Sequence, residues 1–163
     1  MQTPTTQPEL LIFDGDCGFC TTSARWAERR IADSVAVVPW QSVNLDAFGL
    51  TQDDVTTAMY WVDGSQRPHR GHRGVGFVLR AIAAHYQTRS ARHALQSPPA
   101  SALTRTRYRL IGWLARIGAL LCLAPGTSIV ADYAYRLVAR NRHRLPGATA
   151  ACQLPPPTTA TTK

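Results

Sequence analysis

A chain of 163 residues, 45% hydrophobic and 17% charged, is long enough for one folded domain and has the composition of an ordinary globular protein. Four cysteines are too few for a disulfide scaffold, and the polar start of the chain lacks the apolar stretch of a secretory signal, so we expect a cytoplasmic location. Residues 1–63 carry three arginines against nine acidic residues, whereas residues 64–163 carry fourteen arginines and one lysine against one aspartate. These arginines form no nucleic-acid-binding motif, so we expect a solvated basic surface and no nucleic-acid partner.

The stretch LLIFDGDCGFC, residues 10–20, predicts a short buried strand, a loop and the start of a helix. Helical periodicity follows over Thr21–Ile31, with Cys20 on its apolar face. Cys17 therefore falls at the start of the helix, where free backbone N–H groups and the helix dipole favour a thiolate. We expect Cys17 to be exposed, with a pKa below the usual value of about 8.5. Cys20, one turn further on, should be covered.

Strand signals continue through the first half of the chain. A β-branched run at Val35–Val38, ended by Pro39, predicts the second strand, and Met59–Val62 predicts the third. Asp63-Gly64 is a hairpin signal. We therefore expect an antiparallel fourth strand over Gln66–Arg70.

Helical segments lie between and after these strands. Leu45–Leu50 predicts a short helical turn, and Thr51 predicts the start of a short helix. Residues 71–76 predict a glycine-rich loop, and the apolar spacing from Val75 to Tyr86 predicts a long helix. The order β, α, β, short helix, β, β, α is the thioredoxin-like arrangement, in which a redox dithiol follows the first strand. We predict an α/β fold with a thioredoxin-like βαβ-ββα core and an added C-terminal helical pair.

That helical pair is predicted after a polar link at residues 89–105, so the C-terminal helical region begins at about residue 106. The first helix, 108–124, is too short to span a membrane and carries Arg116 near its middle. We expect it to be buried or to lie on a surface. Contact of residues 108–144 with a membrane surface, and hence a location peripheral to a membrane, is left open.

The second helix of the pair starts at Thr127 or Ser128 and reaches about Arg144. One of its faces is apolar and is expected to pack against the core: Ile129, Tyr133 and Leu137. Its arginines are expected to face water: Arg136, Arg140 and Arg142. We place one domain at residues 9–145, between a disordered start at 1–8 and a disordered Pro/Thr-rich end at 146–163.

Two motifs in this chain resemble those of a known family. Asp14–Cys20, DGDCGFC, resembles the opening motif of the DCC family of predicted thiol–disulfide oxidoreductases, and Tyr135–Arg142, YRLVARNR, resembles its closing motif. The resemblance covers roughly residues 9–145 and implies a thioredoxin-like fold with redox activity. One departure from thioredoxins concerns the cis-proline that they place before the third strand. Ala58-Met59 occupies that point here, and Pro39 follows the second strand instead.

The predicted chemistry is thiol–disulfide exchange of the protein-disulfide reductase type. The Cys17 thiolate attacks a substrate disulfide, and Cys20 resolves the mixed disulfide. We expect Asp14 either to relay protons from Cys20 or only to bond loop N–H groups. Asp16 would either cap the helix or raise the pKa of Cys17 by its charge. No cofactor is expected; the partners are a disulfide-bearing protein or small thiol as substrate and a dithiol protein as electron donor.

Three alternatives use the same residues. Asp14 and Asp16 after an apolar strand mimic the first motif of haloacid-dehalogenase-type phosphatases, although the lysine and acidic pair which that chemistry needs are missing. Cys17 and Cys20 have zinc-ligand spacing, with His69 and His72 as the nearest candidates for further ligands. The third alternative is a non-enzymatic interaction module in which the cysteines only pack.

Overall fold

The computed structural model describes residues 7–96, 102–149 and 152, and its centre is a mixed four-stranded sheet. The strands are β1 (Glu9–Phe13), β2 (Val35–Pro39), β3 (Tyr60–Val62) and β4 (Pro68–Arg70). Their order in the sheet is β2-β1-β3-β4, with β1 parallel to β2 and both other pairs antiparallel. The predicted hairpin is confirmed, with residues 63–67 joining β3 to β4.

Five helices surround or follow the sheet in the described part of the chain. They are α1 (Gly18–Glu28), α2 (Gln52–Thr57), α3 (His72–Gln96), α4 (Ala102–Leu123) and α5 (Ser128–Asn141), and a 3-10 turn, Arg142–Arg144, follows α5. The parallel β1-α1-β2 unit and the antiparallel β3-β4-α3 unit together form the predicted thioredoxin-like core. The α/β fold class with added C-terminal helices is therefore confirmed.

The core lies on both faces of the sheet, because neighbouring residues of a strand point to opposite sides. Leu11 of β1 packs in one cluster with Ala27 of α1, Val78 of α3 and Ala115 of α4. Its neighbour Ile12 packs on the opposite face, with Val55 of α2. Both β1 residues are almost fully buried. The strand that leads into the DGDC loop is thus held from both sides.

Several element boundaries differ from those predicted. Helix α3 begins at His72, so the loop predicted at 71–76 is wrong; a single glycine, Gly71 at φ +57, makes the turn before the helix. The same helix runs to Gln96 and so includes the start of the predicted polar link, since its arginines and alanines are good helix formers. Residues 97–101, with the expected proline break, lie outside the described residues.

Helix α5 turns a different face to the core from the one predicted. Ile129, Tyr133 and Leu137 are more than half exposed, so the prediction that they pack inward is wrong. The contacts come from another side of the helix: the Met59 N–H donates to Tyr135 Oη at 3.1 Å, and His72 Nδ1 lies 3.2 Å from Asp132 Oδ1. Polar contacts to Met59, just before β3, and to His72 of α3 therefore set the rotation of α5, and apolar spacing alone does not reveal them.

The exposed apolar residues of α4 and α5 bear on the membrane question. Within the described residues, no single helix is long and apolar enough to cross a membrane, whereas Ala102–Leu123 and Ser128–Arg144 pass that test as a pair bent by 100°. Length and composition are the only basis for that result. Contact of residues 108–144 with a membrane surface stays a prediction, as do the domain limits at 9 and 145.

The Tyr135 contact gives a test of how α5 is fixed. Replacing Tyr135 with Phe leaves the Met59 N–H without its acceptor, and we expect a loss of about 1–3 kcal/mol in the free energy of unfolding. Tyr133→Phe, on the exposed face of the same helix, is the matched control and should stay within about 0.5 kcal/mol of wild type. Urea unfolding of the two variants measures both values. Equal stabilities would contradict the contact.

Candidate active site

The first turn of α1 is occupied by groups from both ends of the chain. Cys17 lies at the start of α1, as predicted, and is its N-cap; its Sγ accepts a hydrogen bond from the Cys20 N–H at 3.4 Å. The Gly18 N–H donates to Thr149 Oγ1 at 3.2 Å, and the Phe19 N–H donates to the sulfur of Cys152. These three N–H groups have no partners within the helix. Two sulfurs and one hydroxyl therefore take the positions where a helix favours negative charge.

Cys17 is fully buried, so the prediction that it lies exposed is wrong. Residues 146–149 and Cys152, which we call the covering segment, pass over it, and Cys152 is equally buried. The approach is so close that a Cβ on Gly18 would touch the Gly147 carbonyl and lie 2.8 Å from Thr149 Cγ2. Cys20 is only partly buried. The expected order of exposure is thus reversed.

The disordered end expected at 146–163 also needs correction at these positions, because the covering segment packs on the dithiol. Its contacts are long-range in sequence, so local composition, rich in proline and threonine, gave no sign of them. For residues 150, 151 and 153–163, which lie outside the described residues, disorder stays a prediction.

Burial dominates the acidity of the two motif thiols. It raises the pKa of Cys17 well above its usual range, and hydrogen bonds shared with the Cys152 and Cys20 sulfurs raise it further. The depressed pKa expected for Cys17 is therefore wrong for the reduced protein. Burial also raises the pKa of Cys20, while hydrogen bonding with Cys17 and the charge of Arg142 act in the opposite direction.

Arg142 is a further site residue that the sequence did not reveal. Its side chain was expected to face water, but only 4% of the residue is exposed. Nε donates to the Cys152 carbonyl at 2.7 Å, Nη2 donates to the Thr56 carbonyl at 2.8 Å, and Nη1 lies 3.6 Å from Cys20 Sγ. Nη1 also lies 3.8 Å from Asp14 Oδ2. The one available signal was the resemblance of residues 135–142 to a family's closing motif.

The two aspartates of the DGDC loop have different surroundings. Asp14 is 4% exposed, and its Oδ1 accepts the Asp16 N–H at 3.1 Å. Its carboxylate also lies within 4.8 Å of both Cys17 Sγ and Cys20 Sγ. The hydrogen bond for the loop-bonding role is therefore present. At this distance from the sulfurs, a proton relay would run through a bridging water. Asp16 is exposed and does not cap the helix, because Cys17 does.

The geometry also bears on the two ligand-binding alternatives. Asp14, Cys17 and Cys20 form a group whose spacing would admit a metal ion. The histidines considered as further ligands are engaged elsewhere, His69 with Asp63 at 2.8 Å and His72 with Asp132. For a phosphatase, the first aspartate would be the nucleophile. Here Asp14 is enclosed by Arg142 and the dithiol.

Comparison with known proteins identifies the family. A family model described as DCC1-like thiol–disulfide oxidoreductase matches residues 11–114, more than half of the chain. The chain belongs to this family. The match includes Asp14, Cys17 and Cys20 of the DCC1-like motif and ends before Arg142 and Cys152. No curated protein and no solved structure matches the chain.

Arg142 should govern both the stability of this DCC1-like domain and the acidity of Cys20. Replacing Arg142 with Met leaves the buried Asp14 without its cation, and we expect a loss of about 3–5 kcal/mol in unfolding free energy. The pKa of Cys20 should rise, because the guanidinium lowers it. Urea unfolding and the pH dependence of Cys20 alkylation by iodoacetamide, read by mass spectrometry, measure the two effects.

Arg140→Met, at an exposed position one half-turn away, is the matched control and should change neither quantity. Arg142→Lys keeps the charge but not the fork of donors, so it should retain most of the Cys20 acidity while losing part of the stability. A Cys20 titration in Arg142→Met and Arg142→Lys identical to that of wild type would contradict the assigned role.

Proposed function

We propose that this protein is a thiol–disulfide oxidoreductase in which Cys17 and Cys20 cycle between a dithiol and a disulfide. The observation that carries the proposal is their shared hydrogen bond at the start of α1, beside a buried cation and a buried carboxylate. Both sulfurs lie within 4.8 Å of each other and of Asp14. Membership of a family named for this activity supports the same conclusion.

The order of attack follows from exposure. Cys17 has no exposed surface, so an external disulfide meets the partly exposed Cys20 first. The Cys20 thiolate attacks one substrate sulfur, a mixed disulfide forms, and the other substrate sulfur leaves as a thiolate. Cys17 then attacks Cys20 Sγ, which releases the second substrate thiol and closes the Cys17–Cys20 disulfide. This order is the reverse of the one expected from the motif.

Charged groups support both steps. The Arg142 guanidinium, 3.6 Å from Cys20 Sγ, stabilises the thiolate that attacks and, in the reverse reaction, the thiolate that leaves. Cys17 must lose its proton inside the protein before it can resolve the mixed disulfide. The Asp14 carboxylate lies within 4.8 Å of Cys17 Sγ, so it can accept that proton through one bridging water.

The proposal includes the partners. The substrate is a disulfide-bearing protein or a small disulfide, and the electrons come from a dithiol protein or small thiol of a reducing cytoplasm. A thioredoxin-like exchange with an extended peptide would need free backbone groups before the third strand. The Met59 N–H at that point is already bound to Tyr135. Recognition by a surface around Cys20 is therefore favoured over strand pairing there.

Trapping of mixed disulfides tests the order of attack. In a Cys122→Ala background, which removes the remaining partly buried thiol, we expect Cys17→Ser to accumulate a glutathione adduct on Cys20 when treated with oxidised glutathione. The adduct persists because the resolving sulfur is missing. Cys20→Ser should acquire an adduct on Cys17 far more slowly, because Cys17 is buried. Peptide mass mapping over time measures both rates, and a faster adduct on Cys17 would reverse the assignment.

Asp14 should be needed for redox rate. Asp14→Asn keeps the shape of the side chain but removes the proton acceptor, and we expect exchange to slow by about 10²–10⁴-fold, the usual size of a general-base contribution. Asp16→Asn, at an exposed position of the same loop, is the matched control. A glutathione-coupled exchange assay measures the rates, and a flattened pH profile in Asp14→Asn separates proton transfer from a structural effect.

The same variants separate the redox proposal from the phosphatase alternative. Hydrolysis of a generic phosphate ester with Mg²⁺ is measured beside disulfide exchange in Asp14→Asn and Cys17→Ser. Phosphatase activity that disappears in Asp14→Asn and persists in Cys17→Ser would favour the haloacid-dehalogenase-type reaction. Exchange that is lost in Cys17→Ser supports the dithiol.

A further inference from the structure

Cys152 lies against the dithiol although 132 residues of sequence separate it from Cys20. It is fully buried, and its sulfur shares a hydrogen bond with the Cys17 thiol. Cys17 Sγ therefore has a second sulfur neighbour besides Cys20. The family match ends at residue 114, so the matched region does not include this third thiol.

The surroundings of Cys152 are those of a stabilised thiolate. Its sulfur receives the N–H groups of Phe19, in the first turn of α1, and of Thr149, the latter at 3.4 Å. Thr149 Oγ1 lies 3.6 Å from the same sulfur. Burial alone would raise the pKa of Cys152, but hydrogen bonds from Cys17, Thr149 and Phe19 lower it to about 7. The helix N-terminus thus favours the thiolate at Cys152 more than at Cys17.

The position of Cys152 is fixed by residues that also build the dithiol site. Arg142 Nε holds its carbonyl at 2.7 Å, while Nη1 of the same guanidinium approaches Cys20 Sγ. Thr149 Oγ1 bridges the Gly18 N–H and the Asp16 carbonyl, each at 3.2 Å. These contacts attach the covering segment to Asp16 and Gly18, the residues on either side of Cys17. A thiol that only filled space would not need them.

We propose that Cys152 is a third redox sulfur, which exchanges with the Cys17–Cys20 disulfide to form a Cys17–Cys152 disulfide. This inference rests on the proposed function, since that function supplies the Cys17–Cys20 disulfide. The Cys152 thiolate attacks Cys17 Sγ, the bond between Cys17 and Cys20 breaks, and Cys20 leaves as a thiolate beside Arg142. One disulfide and one thiolate are present before and after the step, so no oxidant, reductant or proton is required.

The exchange has a chemical consequence for the oxidised protein. A Cys17–Cys20 disulfide leaves no free sulfur at the partly exposed position. After exchange, Cys20 is a thiolate again, next to a guanidinium, while the disulfide lies buried beneath the covering segment. The oxidised enzyme can then react with a second partner through Cys20.

Disulfide mapping of the full chain tests the proposal. Trypsin places Cys17 and Cys20 together in residues 1–25, Cys122 in 117–136 and Cys152 in 145–163. The folded protein is oxidised with oxidised glutathione, quenched in acid, blocked with N-ethylmaleimide and digested without reduction. We expect peptide 1–25 linked to 145–163, with the blocking group on Cys20. Chymotrypsin, which cleaves after Phe19, separates Cys17 from Cys20 and assigns the linked sulfur.

Three variants make the result specific. Cys20→Ser lacks the partly exposed thiol through which the dithiol is oxidised, so it should form the Cys17–Cys152 link far more slowly than wild type. Cys152→Ser should lose the linked pair and retain the Cys17–Cys20 disulfide within peptide 1–25. Gly18→Ala keeps every sulfur but pushes against Gly147 and Thr149, so the linked fraction should fall. Gly126→Ala, with open space around its Cβ position, is the matched control and should leave it unchanged. Cys122, which should stay unlinked, reports on misfolded material.

The two proposals fail in different ways. A Cys17–Cys20 disulfide within peptide 1–25 in both wild type and Cys152→Ser, with no linked pair in wild type, would overturn the role of Cys152 and leave the dithiol intact. Absence of the Cys17–Cys20 disulfide even in Cys152→Ser would overturn the proposed Cys17–Cys20 couple itself. A link between Cys20 and Cys152 that forms equally in Cys17→Ser would overturn the assignment of Cys17 as the exchanging partner.

Discussion

The buried pair formed by Arg142 and Asp14 is the constraint on which the rest of the site depends. Each side chain is only 5% exposed, and neither charge could remain there alone without a large desolvation cost. The guanidinium meets that requirement and uses its other donors on the carbonyls of Thr56 and Cys152. Because arginine offers several donors in one rigid plane, a single side chain joins α2, the DGDC loop and the C-terminal segment.

The same arrangement explains why Cys17 is buried rather than exposed to solvent. The first-turn N–H groups of α1 attract any acceptor that can reach them, and Thr149 and Cys152 reach them here. Because the chain itself occupies these N–H groups, they are no longer the free donors that an isolated helix N-terminus would present. Access is left at Cys20, one turn further along. A motif with a well-known spacing thus has its accessibility set by residues far from it in sequence.

The sequence predicted most of the fold, because local patterns specify it. The apolar run before DGDC, the β-branched run at 35–38 and the Asp-Gly turn each report on neighbouring residues only, and each was confirmed. Helix limits were less accurate: α3 starts at His72, where a left-handed Gly71 was sufficient to make the turn. The dithiol and Asp14 were predicted because Asp14, Cys17 and Cys20 lie within seven consecutive residues, between a strand and a helix.

The remaining site residues could not be predicted, because their roles arise from tertiary contacts. Nothing local distinguishes Arg142 from Arg136 or Arg140, which are exposed on the preceding turns. Apolar spacing selected the wrong face of α5, since Tyr135 is fixed by a hydrogen bond to Met59. The proline and threonine of residues 146–163 indicated disorder, and only the approach of Gly147 and Thr149 to Gly18 shows that this part of the segment packs on the site.

The separation of 122 residues between Cys20 and Arg142 has a consequence for biosynthesis. At about 5–20 residues per second, the ribosome completes the dithiol motif roughly 6–25 seconds before the arginine that neutralises Asp14. Closing so long a loop is also slow and entropically costly. During that interval the nascent chain carries an uncovered pair of thiols, open to oxidation or to capture by other thiols. The first-made part of this site is therefore the last to be protected.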